Sequence, residues 1–252
     1  HVEALKKQQD GDYFLTTLLI KPLSINNIHS DELSVTFFQK QKKTFTFRNR
    51  EDEIGGDMNI AHTLHLRDKR YSLVLNADAM GKSMQGAGGA LVLGAVFQSI
   101  VERTKLDPAI KKQHPEQWLK FTFIELHNIF ESFDGSMLIS LLMALIDDET
   151  GLVYYMNAEH PQGVLYRDGK ASFFDVSPMY RKLGTTITAG GIEIMTFQMQ
   201  PGDKLYFGSD GRDDLLLGHN EDGHRIINED EDLFLIHLEE AKGDIDRCYE
   251  IL

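Results

Sequence analysis

Three aspartates stand where a carboxylate could be held beside a ligand: Asp57 in IGGDMN, Asp78 in LVLNADAMGKS and Asp210 in LYFGSDGRDD. Apolar, strand-like residues lead into Asp78 and Asp210, and each motif contains glycine. A strand end next to glycine exposes a side chain on a rigid element while letting the backbone approach a ligand closely. Carboxylate oxygens are hard donors suited to Mg²⁺ or Mn²⁺, and a binuclear pair needs several of them converging with room for water. Such a pair can generate a hydroxide nucleophile and stabilise charge on phosphoryl oxygens in line with it. Taken singly, an Asp beside Gly is more often a turn residue or a helix cap, so the chemistry depends on all three acting together.

Other motifs carry less. MGKS at residues 80–83 ends like a phosphate-binding P-loop, but the required leading glycine falls at Asn76. The glycines at 86–89 lack the third glycine of a dinucleotide fingerprint, Leu91 standing there instead, and read as packing residues. GGDM at residues 55–58 touches the nucleotide-cyclase GGDEF pattern, yet Met58 and Asn59 follow where acidic and aromatic residues belong. His160 in NAEHP could serve a leaving group as general acid, although a His before Pro is more often a turn residue. No pair of histidines has zinc-ligand spacing on one helix.

The composition narrows the field. A formal net charge of -13 argues against a phosphate-backbone surface and so against nucleic acid as a partner, while clustered carboxylates suit divalent cations. With 42% hydrophobic and 26% charged residues the chain has the balance of an ordinary globular protein. No apolar run approaches the roughly 20 residues of a spanning helix, and residues 138–146 read as a buried strand. Cys248 is the only cysteine, which excludes an intrachain disulfide and makes the cytoplasm the expected compartment. The 252 residues are compatible with one domain.

The elements that must position the aspartates follow from periodicity. Residues 12–23 predict an amphipathic helix stopped by Pro22, preceded at 1–11 by a linker or the end of a signalling helix. Residues 33–38 and 44–47 read as strands around a solvated turn at 40–43, and residues 54–66 and 71–75 as a hairpin around Asp68 and Lys69. Helices are expected over 86–101, where the early glycines permit close packing, and over 115–133, whose Trp118 is core by default. Strands at 137–147, 152–157, 163–167, 170–174, 192–198 and 204–208 are joined by hairpin-length turns and should pair mainly antiparallel. Two polar helices, 231–241 and 245–252, close the chain. Strands between segregated helices define an α+β layered architecture.

Four segments in this order resemble the bacterial branch of the metal-dependent, protein phosphatase 2C-like phosphatases, which includes the sporulation stage II protein E type. They are EIGGD (53–57), ADAMGKS (77–83), YYMNAEHP (154–161) and GDKLYFGSDGRDD (202–214), and the likeness runs from about residue 12 to the end. The resemblance implies an α-β-β-α sandwich of two mainly antiparallel sheets flanked by helices. It also implies hydrolysis of phosphoserine or phosphothreonine with two Mn²⁺ or Mg²⁺ ions. Asp78 would bridge the metals, the Ala79 carbonyl would add a ligand, Asp57 would bind largely through water, and Asp210 would share a metal with a further Asp after the final helix. Asp244 and Asp246 lie at the start of that helix and not after it, so residues 12–252 are expected to form a catalytic domain lacking its final strand and fourth carboxylate. The helices at 86–101 and 115–133 would form a regulatory switch. The implied substrate is an anti-sigma-factor antagonist of the sulfate-transporter/anti-sigma (STAS) type. An upstream sensor, a homodimer and a place as the cytoplasmic domain of a membrane-anchored sensor are further expectations. A catalytically silent signalling module with the same fold is the alternative.

Overall fold

A computed structural model describes residues 2–174, 180–186, 192–220 and 222–251. The chain opens with α1 (Val2–Ile20) and continues through β1 (Asn26–Asn27), β2 (Lys43–Phe47), β3 (Arg50–Ile54), β4 (Asp57–Leu66) and β5 (Lys69–Ala79). Three helices follow, α2 (Met84–Leu106), α3 (Pro108–Lys111) and α4 (Pro115–Glu131). Next come β6 (Ile139–Asp147), β7 (Leu152–Ala158), β8 (Val164–Arg167), β9 (Lys170–Phe173), β10 (Met195–Gln198) and β11 (Lys204–Tyr206). A hairpin of β12 (Leu216–His219) and β13 (Arg225–Ile227) leads to α5 (Leu233–Glu240) and α6 (Ile245–Ile251).

The main sheet has the order β1-β4-β5-β6-β7-β10 and is antiparallel except where β1 joins β4. Every residue of β6 is buried, because helices cover one face of this central strand and a second sheet covers the other. On the helical side, Met58, Ile60, Leu75 and Met143 meet Leu93, Phe97, Trp118 and Leu126 of α2 and α4. The Trp118 indole N–H donates to Thr104 Oγ1 at 2.8 Å, so its one polar atom is satisfied while the ring joins the two helices. On the opposite face, Ala144, Val153 and Tyr155 pack with Phe174, Phe197, Leu205 and Phe207. The smaller sheet, ordered β11-β8-β9, turns Val164 and Tyr166 outward against Phe234, Leu238 and Cys248 of α5 and α6. These layers are the expected α-β-β-α sandwich.

The β4–β5 turn sits at Arg67 and Asp68, one residue earlier than expected, with φ of 51° and 62°. Two left-handed residues make the type I′ geometry whose twist matches the flanking strands. Residues 33–38 form no strand. β2 pairs instead with β3, through Arg48 and Asn49 at φ 48° and 62°, and this hairpin is held by Phe45 and Ile54 packing beneath Tyr13 of α1. The charged REDEI sequence of β3 hides its strand character from local patterning. The β12–β13 hairpin was not expected, since its apolar Leu216, Leu217, Ile226 and Ile227 are all exposed. α1 is one helix through Gly11 and ends at Ile20, so residues 2–11 are helical. By length and composition alone α2 could cross a membrane, contrary to the expectation from apolar runs, but Gly89, Ala90, Leu93 and Phe97 face the core.

Candidate metal centre

Asp57 opens β4 and Asp78 is the penultimate residue of β5, and the antiparallel register sets them directly opposite each other at the end of the hairpin away from its turn. Cross-strand partners have Cβ atoms about 4.5–5.5 Å apart, a destabilising arrangement for two like charges unless something lies between them. Burial, then the charges of Asp57 and Asp210, push the Asp78 carboxyl up to about 7, against an opposing pull from Lys182. Asp57 is also raised, chiefly by burial and then by Asp210, while a hydrogen bond from the Ser209 side chain works the other way. The Asp57 carbonyl accepts the side-chain amides of Gln39 and Gln41 at 2.9 and 3.0 Å. The residues that follow the segment expected as a strand therefore tie down the start of β4.

Asp210 arrives from the second sheet, at the head of a 3₁₀ turn (Asp210–Arg212) after β11. Arg212 anchors that turn: Nη1 donates to the Gln162 carbonyl at 2.7 Å, Nε to Asp213 at 3.1 Å, and the guanidinium lies over the rings of Phe173 and Phe234. The backbone N–H groups of Asp213 and Asp214 both donate to the Asp210 carbonyl at 2.9 Å.

The Ala79 carbonyl lies in a space that two glycines leave open. A Cβ on Gly56 would come within 2.2 Å of that oxygen and 3.0 Å of Asp78 Oδ1, and one on Gly86 within 3.1 Å of the same carbonyl. Three carboxylates and a carbonyl form a hard, all-oxygen donor set that fits Mg²⁺ or Mn²⁺ better than zinc. Among the described residues, no three His, Cys, Asp or Glu side chains close on a single ion. The aspartates share a field without forming a cage, which fits a site completed by water and backbone oxygen.

His160 is not at the solvent face of the site. It is buried, with Nδ1 2.9 Å from Ser140 Oγ and Nε2 2.5 Å from Asn76 Oδ1, while Asn157 bonds both its N–H and its carbonyl. Asn76 in turn donates to Asn59 at 2.7 Å. Burial, helped by Arg212 and Lys182, pushes the imidazole down to about 3, so it is neutral and serves as a brace across β4 to β7, not as a general acid. Asp244 accepts the N–H groups of Asp246 and Arg247 at 3.1 Å and is a helix cap. Sequence reasoning missed Ser140 and Lys182, which lie in no quoted motif, and gave no role to Asn59 and Asn76, which do. Ser209 lay inside a quoted motif but was not singled out.

Two packed sheets between helical layers, with carboxylates gathered at one end of the central hairpin, define a phosphatase 2C-type domain. Residues 68–251 match the model of the Stage II sporulation protein E (SpoIIE) family, and the chain belongs to that family. Asp78, Ala79 and Asp210 lie within the matched residues and Asp57 just before them. The fold is similar to the PP2C phosphatase domain with a regulatory-domain fragment of the cell fate determinant SpoIIE from Bacillus subtilis, at TM-score 0.56 and 16% identity, over 79% of this chain and 53% of that one. It is similar also to the SiaA-PP2C domain of Pseudomonas aeruginosa, at TM-score 0.55 and 16% identity over 78% and 71%. A third likeness is to the RsbU and RsbW domains of Rv1364c from Mycobacterium tuberculosis, at TM-score 0.54 and 17% identity over 79% and 52%. The chain spans about half the length of the first and third of these. No curated protein matches it significantly.

Proposed function

We propose that the chain hydrolyses phosphoserine or phosphothreonine in a protein substrate, with a water activated at metals held by Asp57, Asp78, Ala79 and Asp210. The observation that carries this reading is the opposition of Asp57 and Asp78 across β4 and β5, with the charge of Asp210 brought to both. When bound, two Mn²⁺ or Mg²⁺ ions supply Lewis-acid polarisation of the phosphoryl group and a water of lowered pKa. Asp57, Asp78 and Asp210 would hold the ions together with the Ala79 carbonyl, and Asp78 is the carboxylate raised by the charges of both others. The neutral His160 brace keeps β5 to β7 in register beneath them, and Arg212 keeps the Asp210 turn from swinging away.

Membership in the SpoIIE family supports a place in bacterial sigma-factor regulation, with a phosphorylated STAS-type anti-sigma-factor antagonist as substrate. An upstream sensor domain, a homodimer and a cytoplasmic location belong to the same reading. Leu15, Leu18 and Leu19, exposed along α1, support a partner seated on that helix. Mn²⁺-dependent release of phosphate from a phosphorylated STAS-type protein tests the reading, and Asp78→Asn should lower the rate by roughly 100-fold or more. Full activity in that variant would show the site to be misassigned. Failure to bind Mn²⁺ at millimolar concentration in a calorimetric titration would favour the silent signalling module.

A further inference from the structure

Lys182 stands at this acidic end of the sheet. Lys182 makes no ion pair among the described residues, and its polar partner is the sulfur of Met80, at 3.4 Å. A thioether is a weak acceptor, so the ammonium keeps most of its hydrogen-bonding capacity for another group. Lys69, Arg70 and Arg167, by contrast, are held by Asp147, Asp148 and Asp203.

The backbone that carries Lys182 is pinned on both sides. Leu183 and Ile139 exchange N–H···O bonds of 2.8 and 3.2 Å, and Ile139 is the cross-strand partner of Ala79. The Tyr180 N–H donates to the Asn157 carbonyl at 2.9 Å, and the Thr185 hydroxyl donates to the Lys182 carbonyl at 2.7 Å. Lys182 is therefore set at the same sheet end as Asp78 and Ala79. A flexible ammonium on a fixed backbone suits a phosphoryl dianion, which offers several acceptor oxygens to a point charge.

We propose that Lys182 contacts the substrate, its ammonium binding phosphoryl oxygens of the phosphoester at the Asp57–Asp78–Asp210 end of the sheet. This rests on the phosphatase reading above. The rival role, in which Lys182 only offsets the carboxylate charge, would act on metal affinity.

The test compares wild type, Lys182→Ala and Lys182→Arg at saturating Mn²⁺ with p-nitrophenyl phosphate, measuring KM, kcat, inhibition by inorganic phosphate and the Mn²⁺ half-saturation point. Lys182→Ala should raise KM and the phosphate inhibition constant by about 10-fold or more, and Lys182→Arg should recover most of that loss. Unchanged values in Lys182→Ala, or a change confined to Mn²⁺ half-saturation, overturn the proposal. A wild type that turns over no phosphoester overturns the phosphatase reading instead. Lys182 is then read from ³¹P NMR titration of inorganic phosphate against the Mg²⁺-loaded protein. Weaker binding by Lys182→Ala supports the proposal, and equal or undetectable binding by wild type and variant refutes it.

Discussion

Asp78 and His160 are neighbours through Asn76, yet burial moves them in opposite directions along the pH axis. Burial disfavours charge on both, which raises a carboxyl and lowers an imidazole. For His160 the folded pKa of about 3 lies below the ordinary 6.5, so the unfolded chain binds its proton more tightly. Its contribution is fully present above about pH 6.5 and is lost as pH falls towards 3, at a limiting slope of about 1.4 kcal/mol per pH unit. Urea melts in steps from pH 7 to pH 4 should show this decline as a difference between wild type and His160→Asn, in which the opposing titration of Asp78 cancels, and the imidazole should remain neutral by NMR at pH 5. An imidazolium signal at that pH would remove His160 from its bracing role. At this scale the three aspartates could be read from their motifs, whereas Lys182 could not, because a single lysine between Arg181 and Leu183 has no pattern of its own.

At the scale of elements, the approach of α2 to β5 decides the shape of the site. The glycines at its start were legible as packing residues, but which of them is indispensable depends on what stands opposite. A Cβ on Gly89 would lie 2.7 Å from Ala79 Cβ, whereas one on Gly88 would have only Met137 Cε near it, at 3.9 Å. Gly89→Ala is therefore expected to destabilise by about 1–3 kcal/mol through overpacking. It should also weaken Mn²⁺ binding, because β5 carries Asp78 and Ala79. Gly88→Ala should be neutral or stabilise by up to about 1 kcal/mol, the gain of alanine over glycine inside a helix. Thermal melts and Mn²⁺ calorimetry on the two variants check the pair, and equal behaviour would refute the packing argument. The misplacement of the first hairpin belongs to this scale too. The charged β3 reads as loop by composition, and only the roof of Tyr13 over Phe45 and Ile54 makes it a strand.

For the whole molecule, the cost of holding three carboxylates together should surface as coupling between metal and stability. Asp78 has a folded pKa of about 7, above the ordinary 3.8, so its contribution is present below about pH 3.8 and is lost as pH rises through about 7. At pH 8 the metal-free protein carries that unrelieved repulsion. Saturation with Mn²⁺ to about 100 times its dissociation constant should raise the melting temperature by roughly 5–10 °C. Chelator should reverse the rise. Asp78→Asn should melt above metal-free wild type at pH 8 and respond little to Mn²⁺, and a full response would place the metals elsewhere. By itself the sequence determined what short-range physics controls: apolar periods, the turns flanking β4, β5, β8 and β9, and the three motif carboxylates in order. Only the tertiary structure decided that Asp57 faces Asp78, that Asp210 reaches both from another sheet, that His160 is a buried brace, and that Lys182 joins them. Those relations rest on strand register and on the stacking of layers far apart along the chain, and no local window of residues encodes the energy of either.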